Sequence, residues 1–287
     1  MTRVTRYGDG LAVVTVTYSP GETLETFLST LATATTRPLS VVLADNGSTD
    51  GVPERAAEEH EHVTFLPTGG NLGYGGGANR GVASLSRDVG WVVVANPDLS
   101  WGEGSLDVLL EAAKRWPRGG AFGPLIREPS GAVYPSARLL PSLGRGLGHA
   151  VLGPVWPGNP WSREYRQATA AVEERTAGWL SGSCLLMRRE AFDSVEGFDP
   201  RYFMYFEDVD LGDRLGRAGW LNVYVPEAEV VHVGGHSTRR SSARMLAAHH
   251  SSAYRYLSDR HAGAAWAPLR LAVRTGLGLR LRVLTRR

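Results

Sequence analysis

Four β-branched apolar runs, each closing on a polar or proline-containing turn, constrain this chain more than any other feature. They are LAVVTVTY (11–18), LSVVLAD (39–45), HVTFLP (62–67) and WVVVA (91–95). Runs of about 4–8 such residues bounded by turn formers read as buried strands. Between the first two, Leu24, Phe27, Leu28 and Leu31 recur at helical spacing, and residues 52–60 read as a second, shorter helix. Strands alternating with helices predict an α/β fold, a mostly parallel central sheet flanked by helices. Ligands bind such sheets beyond the carboxyl ends of the strands. Thr17, Tyr18, Asp45 and Asp98 all fall at such ends.

Residues 127–178 break the alternation. They are rich in Pro, Gly and Trp, show no period, and read as a long irregular insertion that forms a lid or a wall. GWLSGSCLLMRREAF (178–192) returns to a strand and a helix. An acidic cluster then opens another helix, and WLNVYVP (220–226) is a further strand. After about residue 240 the sequence is helical and basic to its end.

The chain has 287 residues and is 43% hydrophobic, enough for a sizeable core. Cys184 is the only cysteine, so no intrachain disulfide forms, and its apolar run SGSCLLM reads as a buried structural thiol. No leader opens the chain and no apolar run reaches about 18 residues, so an intracellular protein that does not span a membrane is expected. The net charge of +2 is unevenly placed. Residues 241–287 hold nine Arg and one Asp (Asp259), a local +8, so the rest sums to −6. Such asymmetry signals a partner. Arg270, Arg274, Arg282 and Arg286 recur in steps of four or eight among leucines and valines, as on a helix whose cationic side lies on an anionic membrane surface. The competing reading is a basic helix packed on the domain or on a second copy. No nucleic-acid-binding motif accompanies the charge.

Three features carry chemistry. YFMYFEDVDLGDR (202–214) sets Glu207 and Asp208 directly after aromatic residues. A carboxylate held against rings tends to have a raised pKa, which suits a general base, and Asp208 is assigned that role. Asp210 and Asp213 fit a solvated helix start. Asp98 after strand WVVVA and His232 after VVH are a candidate oxygen-and-imidazole pair for a divalent cation, Mg²⁺ or Mn²⁺. Asp45 either accepts from the imide N–H of a pyrimidine or closes an Asx turn, and Asp50 caps the short helix. GYGGGA (73–78) formally fits a dinucleotide fingerprint with Asp98 as its ribose-binding acid, the mark of an NAD-dependent oxidoreductase. Against this, strand HVTFLP ends at Pro67, too early for the tight turn that fingerprint needs. A third possibility is a nucleotide-sugar or membrane-binding protein without turnover.

Taken together, VTVTYSP, ADNGSTDG, NLGYGGGAN, ANPD, GWLSGSCLLMRR, YFMYFEDVDLGDR and the pair His232 and His236 resemble the family 2 inverting glycosyltransferases with the GT-A fold, from about Leu11 to His236. YPSARLLPSL, VLGPVWPGNPW and LAAHHSSAYRYLSDRH resemble its actinobacterial subgroup that builds the cell-wall linker. The resemblance implies a dTDP-L-rhamnose donor and an N-acetylglucosaminyl-diphospho-polyprenol acceptor at the inner face of the cell membrane; another nucleotide-sugar donor is the alternative. It implies that Thr17, Tyr18 and Asp45 hold the thymidine and that Gly73 and Asn79 line the nucleotide pocket. Asp98 stands for the last acid of the family's D-x-D metal motif, with Asn96 in place of the first. Trp179 and Gly182 face the acceptor sugar, Glu207 positions the acceptor and Asp208 deprotonates it. The implied division is a catalytic domain over 1–237, with a nucleotide-binding half (1–125) and an acceptor-binding half (126–237), and a helical, basic extension over 238–287.

Overall fold

β1 (Gly10–Thr17) is the strand on which the first half is built. It pairs in parallel with β2 (Leu39–Asp45) on one side and β4 (Val89–Ala95) on the other, and β2 pairs in parallel with β3 (Val63–Pro67). The computed structural model describes residues 7–141, 172–233 and 242–285. The strands alternate between two cores: Val13, Leu43 and Val93 point to one, Val14, Val42 and Val94 to the other. Burial on both faces explains why these runs are continuously apolar.

On the first face lie α1 (Thr23–Ala34), α2 (Val52–Glu59) and α4 (Ser105–Arg115). The four apolar residues read at helical spacing in α1, Leu24, Phe27, Leu28 and Leu31, are all buried. On the second face lie α3 (Gly73–Ala83), α5 (Arg189–Ser194) and α6 (Glu207–Arg217). α3 begins at Gly73 rather than near Ala78, so the glycines belong to a helix and not to the loop before it. They let that helix press onto β1: a Cβ on Gly77 would stand 2.8 Å from a Val16 methyl, and one on Gly81 only 2.4 Å from a Val14 methyl. The strand–glycine–helix turn of a dinucleotide site is not formed here, and the oxidoreductase reading loses its basis.

The second half continues the sheet in the order β4, β11 (Cys184–Arg188), β6 (Gly119–Arg127), β12 (Leu221–His232), β5 (Leu99–Trp101). β6 and β12 are parallel, but β11 and β5 run antiparallel to their neighbours, as do the short β7 (Val133–Tyr134) and β9 (Arg175–Ala177). The sheet is therefore mixed rather than uniformly parallel. β12 extends past the run read as a strand, through a register shift between Val225 and Glu229, to reach β5. There His232 pairs with Leu99. β8 (Ala137–Arg138), inside the region read as irregular, pairs with β10 (Trp179–Leu180), just after it, in a separate two-stranded ribbon.

Beyond β12, α7 (Ser242–Arg260) packs against the turn before α6, and α8 (Ala267–Thr285) packs on α7. Ser252 donates to the Met204 carbonyl at 2.9 Å, and Arg260 meets Asp213 at 3.1 Å. On α8 the half-buried stripe is Leu269, Val273 and Leu277, while Leu271, Leu279, Arg274 and Arg282 are exposed. Among the described residues no helix is long and apolar enough to cross a membrane. Cys184 is buried, and burial pushes its thiol pKa well up, so it is a core residue.

Candidate active site

The ends of β1, β4 and β12, the segment between β10 and β11, the start of α6 and one side of α7 line a cavity of about 980 Å³. β11 starts where β4 ends, with Cys184 opposite Ala95 and the Asn96 N–H donating to the Ser183 carbonyl at 2.9 Å. This register brings Ser181–Ser183 beside Asn96–Asp98.

The long β12 brings His232 to Asp98, 134 residues away: His232 Nε2 lies 3.0 Å from Asp98 Oδ1 and 3.2 Å from Asn96 Nδ2. The Val233 N–H donates to the Asp98 carbonyl at 3.1 Å and ties the two segments together. His232 Nε2 and Asp98 Oδ1, 3.0 Å apart, stand at the spacing of adjacent ligands, since bonds of about 2.1 Å at a right angle put ligands about 3.0 Å apart, and with Nε2 deprotonated and turned to a cation both atoms offer a lone pair. The donor set fits a hard divalent cation, and Asp98 and His232 are the residues that would hold it.

Glu207 and Asp208 open α6 after two residues in the left-handed region, Tyr205 and Phe206, both at φ 66°. Non-glycine residues there cost about 1–3 kcal/mol each and persist only where the surroundings hold them. Here the surroundings are rings from α7: His249 lies 5.5 Å from both Tyr205 and Phe206, and Tyr256 lies 5.8 Å from Phe206. The strained turn aims both carboxyls into the cavity.

The two carboxyls are not alike. Burial raises both, and the Asp208 charge raises Glu207 further, up to about 8. Asp208 is partly offset by two backbone N–H donors, Gly182 at 3.0 Å on Oδ2 and Val209 at 2.8 Å on Oδ1, and by the charge of Arg138. Glu207 Oε2 is buried without a hydrogen-bond partner among the described residues. The pair therefore divides: Asp208 ionises first and Glu207 holds its proton near neutrality. The Asp208 oxygens each keep a second lone pair for an incoming hydroxyl. Asp210 and Asp213 have no part in this. They pair with Arg214 at 2.7 Å and Arg217 at 3.0 Å along α6.

Tyr18, Gly73, Asn96, Asp98, Trp179, Gly182, Glu207, Asp208 and His232 all line the cavity. Three expected residues do not. Thr17 is fully buried and donates to Asp45 at 2.7 Å. Asp45 is buried with its carboxylate engaged by Thr17, the Ser48 hydroxyl and the N–H groups of Gly47 and Ser48. The turn reading of Asp45 wins, because four donors leave no lone pair for a base. Asn79 is corrected too: its amide accepts from the Phe198 N–H at 2.9 Å and donates to the Phe198 carbonyl at 2.7 Å, stapling α3 to the α5–α6 connection. Asp50 accepts from Val52 N–H at 3.2 Å and from Gly21 N–H at 3.0 Å, so it joins two loops as well as the start of α2. Asn46 lines the cavity in place of its neighbour Asp45 and donates to the Gly73 carbonyl at 2.9 Å.

Gly73 has φ +76°, and a Cβ there would lie 2.0 Å from the Phe203 carbonyl oxygen. At Gly182 a Cβ would meet Asp208 Cβ at 3.3 Å and the Tyr74 ring at 3.4 Å. Tyr74 itself donates its hydroxyl to the Gly182 carbonyl. Tyr74, Arg138, Met245 and His249 complete the wall and were not singled out by sequence reasoning. Tyr74 and His249 reach the site through long-range contacts, with Gly182 and with Tyr205 and Phe206, which no local period marks. Burial lowers the His249 pKa, so its ring is neutral near neutrality. His236 lies outside the described residues.

Comparison with known proteins matches residues 12–196 to the family described as "Glycosyl transferase family 2". The N-acetylglucosaminyl-diphospho-decaprenol L-rhamnosyltransferase of Mycobacterium tuberculosis is 60% identical over 287 residues, covering 97% of this chain and 94% of that protein. Rhamnosyltransferase WbbL of Escherichia coli K12 is 29% identical over 201 residues, covering 67% and 72%. Among solved structures, the mannosyltransferase PcManGT from Pyrobaculum calidifontis in complex with GDP-Man and Mn2+ superposes with TM-score 0.57 at 20% identity, over 88% of this chain and 66% of that one. S. aureus TarS 1–349 superposes with TM-score 0.56 at 12% identity, over 83% and 65%. The chain spans about two thirds of the length of those two structures, and at such identities the likeness shows the fold, which is of the GT-A type.

Proposed function

The chain belongs to glycosyl transferase family 2, and on that premise we propose that it moves L-rhamnose from dTDP-L-rhamnose to N-acetylglucosaminyl-diphospho-polyprenol, inverting the anomeric carbon. The observation that carries the reading is one cavity joining two unlike carboxyls, Glu207 and Asp208, with the Asp98–His232 pair. The 60% identity to a rhamnosyltransferase supports the choice of donor and acceptor.

Asp98 and His232 would hold a divalent cation, which would supply charge neutralisation for a departing diphosphate. Tyr18, Ser19, Asn46 and Asn71 line the nucleotide end of the cavity. Asp208 takes the proton of the acceptor hydroxyl on a lone pair not used by Gly182 or Val209. The hydroxyl oxygen bonds to the anomeric carbon from the face opposite the diphosphate, and the carbon–oxygen bond to the diphosphate breaks with its electron pair. A single displacement of this kind inverts the centre. Glu207, protonated, donates a hydrogen bond to the acceptor, and Trp179 and Gly182 meet the acceptor sugar.

The lipid acceptor calls for a membrane surface. Leu271 (66% exposed) and Leu279 (56%) stand outward on α8 with Arg274 and Arg282, and Trp266 is exposed just before it. This face lies on the anionic inner leaflet, each arginine contributing about 1 kcal/mol. Removing residues 268–287 weakens binding to anionic liposomes; undiminished binding would return α8 to a purely packing role.

Thermal unfolding with dTDP, UDP, GDP or NAD, each with and without Mn²⁺, tests the nucleotide assignment. A ligand at about 100 times its Kd adds about 2.7 kcal/mol, or several degrees at roughly 2–4 °C per kcal/mol. A metal-dependent shift with dTDP is expected. A shift with NAD that ignores metal contradicts the reading.

A further inference from the structure

Arg138 is the only arginine or lysine among the described residues lining the cavity. Its guanidinium carbon lies 5.3 Å from the ring centroid of Tyr134 and 5.3 Å from that of Trp179. Its Nε donates to the Pro135 carbonyl at 2.7 Å. Two rings and one carbonyl thus fix the guanidinium plane, and no acceptor among the described residues meets its two terminal nitrogens. No carboxylate among the described residues forms an ion pair with it. A guanidinium held by cation–π contacts and a carbonyl is a pre-oriented, two-pronged donor that matches phosphate oxygens, and less rotamer freedom remains to be lost on binding.

Its place relative to Asp208 narrows the ligand. Arg138 and Trp179 are register partners in the β8–β10 ribbon. Three residues further, the Gly182 N–H holds Asp208, a span of at most about 10 Å of extended chain. The Arg138 charge acts on Asp208. A substrate whose hydroxyl rests on Asp208 therefore has its continuation near Arg138, whereas the nucleotide diphosphate belongs with Asp98 and His232. We propose that Arg138 binds the diphosphate of the acceptor and selects diphosphate-linked over neutral sugars. The assignment rests on the transfer reaction proposed above.

The test compares two acceptors with the same sugar and lipid length, one joined through diphosphate and one through a neutral ether. Arg138→Ala raises KM for the diphosphate acceptor roughly 10–100-fold, the loss of a charge-assisted hydrogen bond. At a pH above the acid limb, KM for the neutral acceptor and KM for dTDP-rhamnose stay unchanged, while the acid limb itself moves upward because Asp208 loses a nearby positive charge. Arg138→Lys, which keeps the charge without the fork, falls between. Equal losses on both acceptors or a raised KM for dTDP-rhamnose would each overturn the assignment, the first by making Arg138 only a counter-charge for Asp208. A second arm needs no turnover. In EDTA, inorganic pyrophosphate protects Arg138 of the wild-type protein from phenylglyoxal, read by peptide mass spectrometry, and dTDP does not. Failure of pyrophosphate to protect, or protection by dTDP instead, overturns the proposal. Wild-type protein inactive on both acceptors would sink the transfer reading instead, and the protection arm would then decide Arg138 by itself.

Discussion

Replacing Glu207 by Gln removes one proton from the site and little else. Burial and the neighbouring Asp208 charge hold the Glu207 pKa up at about 8. If the acid form is the working form, wild-type kcat has an alkaline limb there. At one pH unit below this value roughly nine tenths of Glu207 is protonated, and one unit above it roughly one tenth, so kcat at pH 9 is roughly a tenth of kcat at pH 7. The carboxamide of Gln keeps a donor at all pH values, so the variant's alkaline limb is abolished and its ratio rises to near one. The acid limb belongs to Asp208 and does not move, because Glu207 is uncharged in that range. The sign follows from the direction of the shift: a raised carboxyl pKa keeps the acid form below it and loses that form as pH rises through it. The assay is initial rhamnosyl transfer at saturating donor and acceptor across about pH 5–10. An alkaline limb unchanged in Glu207→Gln would refute the reasoning, since the titrating group would then be another one.

Asp98→Ala and His232→Ala each weaken the Mn²⁺-dependent part of dTDP binding, measured by calorimetry with and without metal; equal metal dependence in wild type and both variants removes them as ligands. Gly182→Ala sets a methyl 3.3 Å from Asp208 Cβ, closer than ordinary contact, and lowers kcat while leaving dTDP affinity alone; unchanged kcat would mean that the base has freedom to move. Gly73→Ala places a methyl 2.0 Å from the Phe203 carbonyl oxygen at a φ of +76°. By analogy with other strained or overpacked sites it costs about 1–3 kcal/mol or more and lowers Tm by several degrees; an unchanged Tm would contradict the close approach of α3 to the loop before α6.

The first half of the fold was legible because its signals are local. Leu24, Phe27, Leu28 and Leu31 repeat at helical spacing and are all buried, and the runs of β1, β2 and β4 are apolar because both faces of the sheet are covered. Strand direction was not legible. The period of β11 is the same whether it runs parallel or antiparallel, and only its pairing with Ala95 and Trp91 of β4 shows which. At the site, Asp98, His232, Glu207 and Asp208 were readable as chemically unusual residues at element ends. Asn79 misled because its partner Phe198 lies 119 residues away, whereas for Asp45 the local turn, one of its two readings, won through its near neighbours Gly47 and Ser48. Arg138 was hidden in a stretch without period, and only the ribbon pairing it with Trp179 makes it part of the cavity.

The most direct test of the account is Asp208→Asn, measured for rhamnosyl transfer and for dTDP binding on the same preparation. The amide keeps the side chain's size but cannot take the acceptor's proton, so kcat falls by roughly 10²–10⁴ while metal-dependent dTDP affinity stays within about twofold, under 0.5 kcal/mol. Transfer at near wild-type rate would contradict the central claim that Asp208 is the base of an inverting sugar transfer.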